Sequence, residues 1–209
     1  MTDNIINVLI AMSFSDELLE QLRGVSPKLQ VVRHFPEVPD EAWESVEVLY
    51  TARILPEPGQ APNLKWVQLH SAGMDHMRDR PLILSDAPPM LTSASGIHAV
   101  PMAEYAIGMM VSHAYKFPMM WDLQRQSLWP EDRDDYLAPL HLRGKTVGIV
   151  GYGSIGRELA RLCHAMGMNV LAVKNNVMQP ADHTSYVEAV PTPAQCCHSP
   201  QYRLSFRAS

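Results

Sequence analysis

The sequence predicts an α/β protein built from two parallel-sheet domains, and three observations predict it. Short apolar runs alternate with helically spaced segments through the first 98 residues, one strongly patterned helix runs from Ala99 to Tyr115, and Lys145 to Asn176 reads as strand, glycine turn, helix and strand. Sequential strands joined by crossovers imply a parallel sheet with helices on both faces.

Ile5 to Met12 is a nearly continuous apolar run, as expected of a strand buried on both faces of a parallel sheet. Ser13 and Ser15 are candidate N-caps for the helix that follows. There Leu18, Leu19 and Leu22 take helical spacing, and Asp16 and Glu17 place acid in the first turn. Further strands are expected at Leu29 to Arg33, Val46 to Thr51 and Lys65 to His70, with a short one near Met90 to Ser93. Residues 1–98 thus read as a small doubly wound domain.

From Ala99 to Tyr115, the residues Val100, Ala103, Ile107, Met110, Val111 and Ala114 fall on one helical stripe. Pro101 sits where a first turn tolerates proline, and Glu104 is read as favouring the positive helix end. This helix is a natural link between two domains. Lys116 to Gly144 follows, with the acidic group Glu131, Asp132, Asp134 and Asp135. Hard-cation loops need ligands at alternating positions around a turn glycine, so this group reads as a solvated loop and no metal site is assigned.

Apolar residues make up 46% of the chain and charged residues 19%, the composition of a globular protein with side chain enough to bury. The net charge of -5 and scattered Lys and Arg give no field for a polyanion, which argues against nucleic acid. Met1 to Asn4 carries acid in place of a basic leader, and no apolar run reaches the ~20 residues of a membrane span. A cytoplasmic protein with no membrane partner is expected. The three cysteines, Cys163 in a helix pattern and the adjacent Cys196 and Cys197, make neither a disulfide framework nor a spaced zinc site.

The strongest motif is Lys145-Thr-Val-Gly-Ile-Val-Gly-Tyr-Gly-Ser-Ile-Gly156. It follows an apolar strand, Val147 to Val150, and opens a helix in which Ile155, Leu159, Leu162, Cys163 and Met166 recur at three and four, with Gly167 as a stop. A second strand, Asn169 to Val173, follows directly. Each glycine has a separate task in holding a dinucleotide. Gly151 permits the turn, Gly153 lets backbone approach the pyrophosphate, and Gly156 lets helix and strand pack closely. Main-chain N–H groups across Gly151, Tyr152, Gly153, Ser154, Ile155 and Gly156, aided by the helix dipole, would hold the phosphate charge. At the end of the second strand, where an acid would take the ribose hydroxyls, the chain has Lys174 and Asn175. A cation without a carboxylate there predicts NAD(P) with NADP preferred.

Three segments, Gln68-Leu-His-Ser-Ala-Gly-Met-Asp-His-Met77, Thr92-Ser-Ala-Ser-Gly-Ile-His-Ala-Val-Pro-Met-Ala-Glu-Tyr-Ala106 and Leu142 to Gly156, resemble in order and spacing the D-isomer-specific 2-hydroxyacid dehydrogenases. The resemblance implies a flavodoxin-like substrate (lid) domain at 1–98, then an incomplete NAD(P)-binding Rossmann domain at 99–182 with linking helix 99–115. It implies an active site in the cleft between the two. It implies that Ser71, Ala72 and Gly73 offer backbone N–H groups to a substrate carboxylate. A further implication is an NAD(P)-dependent oxidoreductase acting on the CH–OH group of small D-2-hydroxy acids, by reduction of the 2-keto acid, and pairing as a homodimer through the 99–115 helix. The family uses no metal, and His70, Asp75 and His76 suit no common face.

Keto-acid reduction also needs a cation for the carboxylate and ketone, a histidine to deliver the proton and a carboxylate partner for that histidine. The family supplies Arg, Glu and His on segments beyond the second Rossmann strand. In this chain the pattern fades after Asn176, and 183–209 reads as an irregular tail. Arg203, Arg207 and His198 are the right types without a context, so no catalytic residue is assigned. The expectation is a C-terminally truncated member, inactive alone, with an open sheet edge that favours association. The alternative is a non-catalytic nucleotide-binding or dimerisation module. A flavin-binding domain ranks below both, because Ser13, Phe14 and Ser15 make little of a phosphate loop.

Overall fold

A computed structural model describes residues 5–173 and 187–189. The chain divides into two compact units, Met1–Ile97 and His98–Ser209. The first contains β1 (Ile6–Ala11), α1 (Asp16–Gly24), β2 (Leu29–Arg33), α2 (Asp40–Trp43), β3 (Val48–Thr51), β4 (Trp66–Leu69), a 3-10 turn (Asp75–Met77) and β5 (Met90–Thr92). The second contains α3 (Ala99–Ala114), α4 (Phe117–Arg125), α5 (Arg133–Tyr136), β6 (Thr146–Val150), α6 (Ser154–Ala165), β7 (Asn169–Val173) and β8 (Val187–Ala189). Both sheets are parallel throughout, so the protein is α/β as its apolar runs require.

In the first unit the strand order β2-β1-β3-β4-β5 is the flavodoxin-like one. One face buries Leu9, Ala11, Leu49, Val67 and Leu69 against Trp43, Val46 and Met77. On the other face α1 lays Leu19 and Leu22 over Ile10, Val31 and Tyr50. Ser15 caps α1 by accepting from the Leu18 N–H at 3.3 Å. Val46 is buried but precedes the ladder, which begins at Val48, while the Glu47 carbonyl accepts from Lys65 and Trp66.

In the second unit β6-β7-β8 lie in sequence order, and among the described residues β6 pairs on one side alone, with β7. The core joins Val147, Ile149, Val170 and Ala172 to Ala160 and Cys163 of α6, with Ile107, Met110, Val111 and Ala114 of α3 packed on them. Several expectations need correction. Val100 is 52% exposed, since the covered stripe of α3 begins only at Ala103. Glu104 is the sixth residue of α3, past the first turn in which the dipole favours acid. Ile155, 40% exposed, stands in the first turn of α6, before that helix's packed face.

The segment after Lys116 carries two helices for which the sequence reading assigned none. Lys116 takes a left-handed backbone (φ 55°), and α4 starts at once with Pro118 in its first turn. Of the acidic run, Asp134 and Asp135 lie exposed in the single turn α5, with Glu131 and Asp132 just before it. The tail at 183–209 is also not wholly irregular, because Val187–Ala189 pairs with Val170 to Ala172 through backbone hydrogen bonds that three residues can make without showing a side-chain period.

Candidate dinucleotide turn and carboxylate loop

At the end of β6 the chain leaves the sheet with Gly151 at φ +97°, its N–H donating to the Val173 carbonyl at 3.0 Å. A side chain at Gly151 would be strained by the backbone alone. Two residues on, Gly153 has an ordinary φ of -85°, and a Cβ built there would meet nothing within 4 Å. At Gly156 a Cβ would stand 2.4 Å from the Gly151 carbonyl oxygen and 3.2 Å from Ile149 Cγ2. The protein's own packing therefore requires glycine at Gly156 and the turn requires it at Gly151. Neither requires it at Gly153, where the space is open.

Helix α6 begins at Ser154 with Gly153 as its N-cap and no capping side chain. Its first carbonyl-to-amide bond runs from Arg157 N–H to Gly153 O at 2.9 Å. The N–H groups of the opening turn and the positive end of the dipole thus face the space above Gly153, a geometry that accepts phosphate oxygens. The exposed Val150 and Ile155 flank the turn with apolar surface. The Tyr152 side chain, 4% exposed, packs beneath the turn in the core, so only its backbone can serve a ligand. Ser154 is half-buried. Lys174 and Asn175 lie outside the described residues.

The second sequence-assigned loop, Ser71 to Gly73, leaves the carboxyl end of β4. The His70 N–H donates to the Thr51 carbonyl at 2.8 Å, and the Ala94 N–H donates to the Ser71 carbonyl at 3.0 Å, which ties the loop to the ends of β3 and β5. Ser71 Oγ donates to the Gly73 carbonyl at 2.8 Å. A Cβ on Gly73 would meet nothing within 4 Å, so the loop is open to a ligand. His76 Nε2 donates to the Ala52 carbonyl at 2.9 Å and anchors the 3-10 turn below.

Four side chains that sequence reading did not single out, Trp66, Gln68, Thr92 and Tyr50, lie on the adjoining strands. Trp66 Nε1 donates to Thr92 Oγ1 at 2.7 Å, and that hydroxyl donates to Gln68 Oε1 at 2.7 Å. The Tyr50 hydroxyl lies 2.9 Å from His70 Nδ1. Burial pushes the Tyr50 phenol above its ordinary value. The only signal for the group was strand register, which sets Tyr50 beside Gln68 and Gln68 beside Thr92.

Comparison with known proteins agrees with this geometry. Residues 107–197 match the family described as D-isomer specific 2-hydroxyacid dehydrogenase, NAD binding domain. The chain is 29% identical over 180 residues to D-3-phosphoglycerate dehydrogenase of Archaeoglobus fulgidus, covering 79% of this chain and 31% of that protein. Against glyoxylate reductase of Thermofilum pendens the identity is 28% over 117 residues, covering 53% and 32%. The chain thus spans about a third of the length of these curated relatives. Among solved structures, a D-isomer specific 2-hydroxyacid dehydrogenase family protein from Aeromonas salmonicida superposes with a TM-score of 0.71 at 25% identity, over 89% of this chain and 58% of that one. D-lactate dehydrogenase from Aquifex aeolicus, complexed with NAD and lactic acid, gives 0.65 at 18% identity, over 88% and 56%, a likeness of fold. With the glycine turn, the parallel sheets and these matches in agreement, the chain is similar to the D-isomer-specific 2-hydroxyacid dehydrogenases, and its residues 107–197 match their NAD binding domain.

Proposed function

We propose that the protein is an NAD(P)-dependent oxidoreductase chain of the type that interconverts small D-2-hydroxy acids and 2-keto acids. The observation that carries this is Gly153: packing and backbone leave its position free, so the glycine there is explained by something that approaches the turn from outside. A pyrophosphate on the first N–H groups of α6 fits that space and that charge. Bound there, the nicotinamide cofactor supplies the hydride. The chain's own part is to grip the pyrophosphate at Gly151 to Gly156 and the substrate carboxylate at Ser71, Ala72 and Gly73.

Lys174 and Asn175, which follow β7, favour a 2'-phosphate over bare ribose hydroxyls, so NADP is the preferred form. The partner of the chain is a second copy, paired through the exposed Met102, Tyr105 and Met109 of α3. No catalytic acid or base is assigned within these residues. Titration of the purified chain with NADPH and NADH, followed by cofactor fluorescence, should show tighter NADPH binding; tighter NADH binding rejects the preference. Added glyoxylate, pyruvate or hydroxypyruvate then tests turnover. Binding without oxidation of NADPH supports the reading of this chain as a nucleotide-binding module.

A further inference from the structure

Phe14, Tyr50 and His70 form a short ladder of rings across the carboxyl ends of β1, β3 and β4, with centroids 5.2 Å and 5.9 Å apart. Register puts Tyr50 beside Gln68, and its hydroxyl reaches one strand over to His70 Nδ1 at 2.9 Å. His70 is the last residue before the Ser71 to Gly73 loop and is exposed, although its Nδ1 side is engaged. A neutral imidazole whose Nδ1 accepts a hydrogen bond carries its proton on Nε2, on the far side of the ring. Tyr50 suits the donor role, because burial raises its phenol and keeps the proton on oxygen.

From this we infer that His70 is a substrate-binding residue, held by Tyr50 so that Nε2–H donates to the same acid that the loop amides receive. The inference rests on the reading of Ser71 to Gly73 as a carboxylate loop and deepens it. Backbone donors on an exposed loop hold a carboxylate through its charge but discriminate poorly among anions. A further donor on a side chain fixed by strand register adds direction, and selects acids with an acceptor oxygen next to the carboxylate, as a 2-keto or 2-hydroxy acid has. His76, tied to the Ala52 carbonyl, has no such role and is the internal comparison.

The experiment uses the full chain labelled with nitrogen-15, oxalate as an unreactive planar stand-in for a 2-keto acid, and acetate as the acid without the neighbouring oxygen. His70→Gln, which retains an amide donor near the place of Nε2, and His70→Phe identify the ring signals and test the contact. The expected result is that His70 shows the Nε2–H form and that oxalate shifts both its ring and the Ala72 and Gly73 amides, with His76 unmoved and acetate weaker. Tyr50→Phe should loosen the tautomer and weaken oxalate roughly threefold to tenfold, as loss of one oriented hydrogen bond does. His70→Phe should weaken it as much, and His70→Gln should restore most of it. Shifts of the loop amides with the His70 ring unmoved overturn this inference and leave the carboxylate loop standing. If neither moves, the loop reading falls and this inference with it.

Discussion

Gly151 and Gly156 are glycine for reasons internal to the protein, one a positive φ and the other a carbonyl oxygen where a methyl group would go. Gly156→Ala should destabilise the chain by roughly 1–3 kcal/mol, because the atom it strikes is backbone and cannot rotate away. Chemical denaturation measures this, and an unchanged midpoint would mean the helix sits farther from the turn than described. Cys163, wholly buried between α6 and β6, is pushed up to about 11 by desolvation. The folded state therefore keeps its thiol proton where the unfolded chain loses it. Stability from this group is complete below the ordinary value of 9.0 and falls as pH rises towards about 11. Denaturation midpoints taken across that window should decline, and Cys163→Ala, though less stable, should show a flatter decline. The glycines were legible in sequence because backbone geometry demands the residue type itself. Tyr50 and His70 were not, since their meeting depends on the pairing of β3 with β4.

At the level of elements, apolar period was a good guide where an element is packed and a poor one where it is not. Leu29–Arg33 and Asn169–Val173 have the bounds their apolar runs suggest. The α3 stripe fails at Val100, where cover from α6 has not begun, although spacing alone puts that residue on the same side. Helix α4 carried a usable sign in Pro118 but followed a left-handed Lys116 that no pattern announced. The other side of α3 exposes Met102, Tyr105 and Met109 at 47%, 64% and 54%, spaced three and four apart. If a second copy covers them, Tyr105→Asp should yield monomer in sedimentation without loss of helix content. A wild-type chain that is monomeric at micromolar concentration contradicts the pairing.

For the molecule as a whole, each unit carries its proposed binding segment at the carboxyl ends of its parallel strands, where open parallel sheets bind. The loop proposed to hold a carboxylate leaves β4 there and the glycine turn leaves β6 there. Among the described residues no helix is long and apolar enough to cross a membrane. A net charge of -5 sets no general attraction for an anionic cofactor, so the proposed binding rests on local N–H groups and the α6 dipole. That makes Gly153 the place to ask. Its substitution by alanine finds an allowed φ and empty space, so melting temperature should stay at the wild-type value while NADPH binding falls at least tenfold, the methyl group standing where the pyrophosphate comes down. Undiminished binding by a stable Gly153→Ala chain would contradict the account.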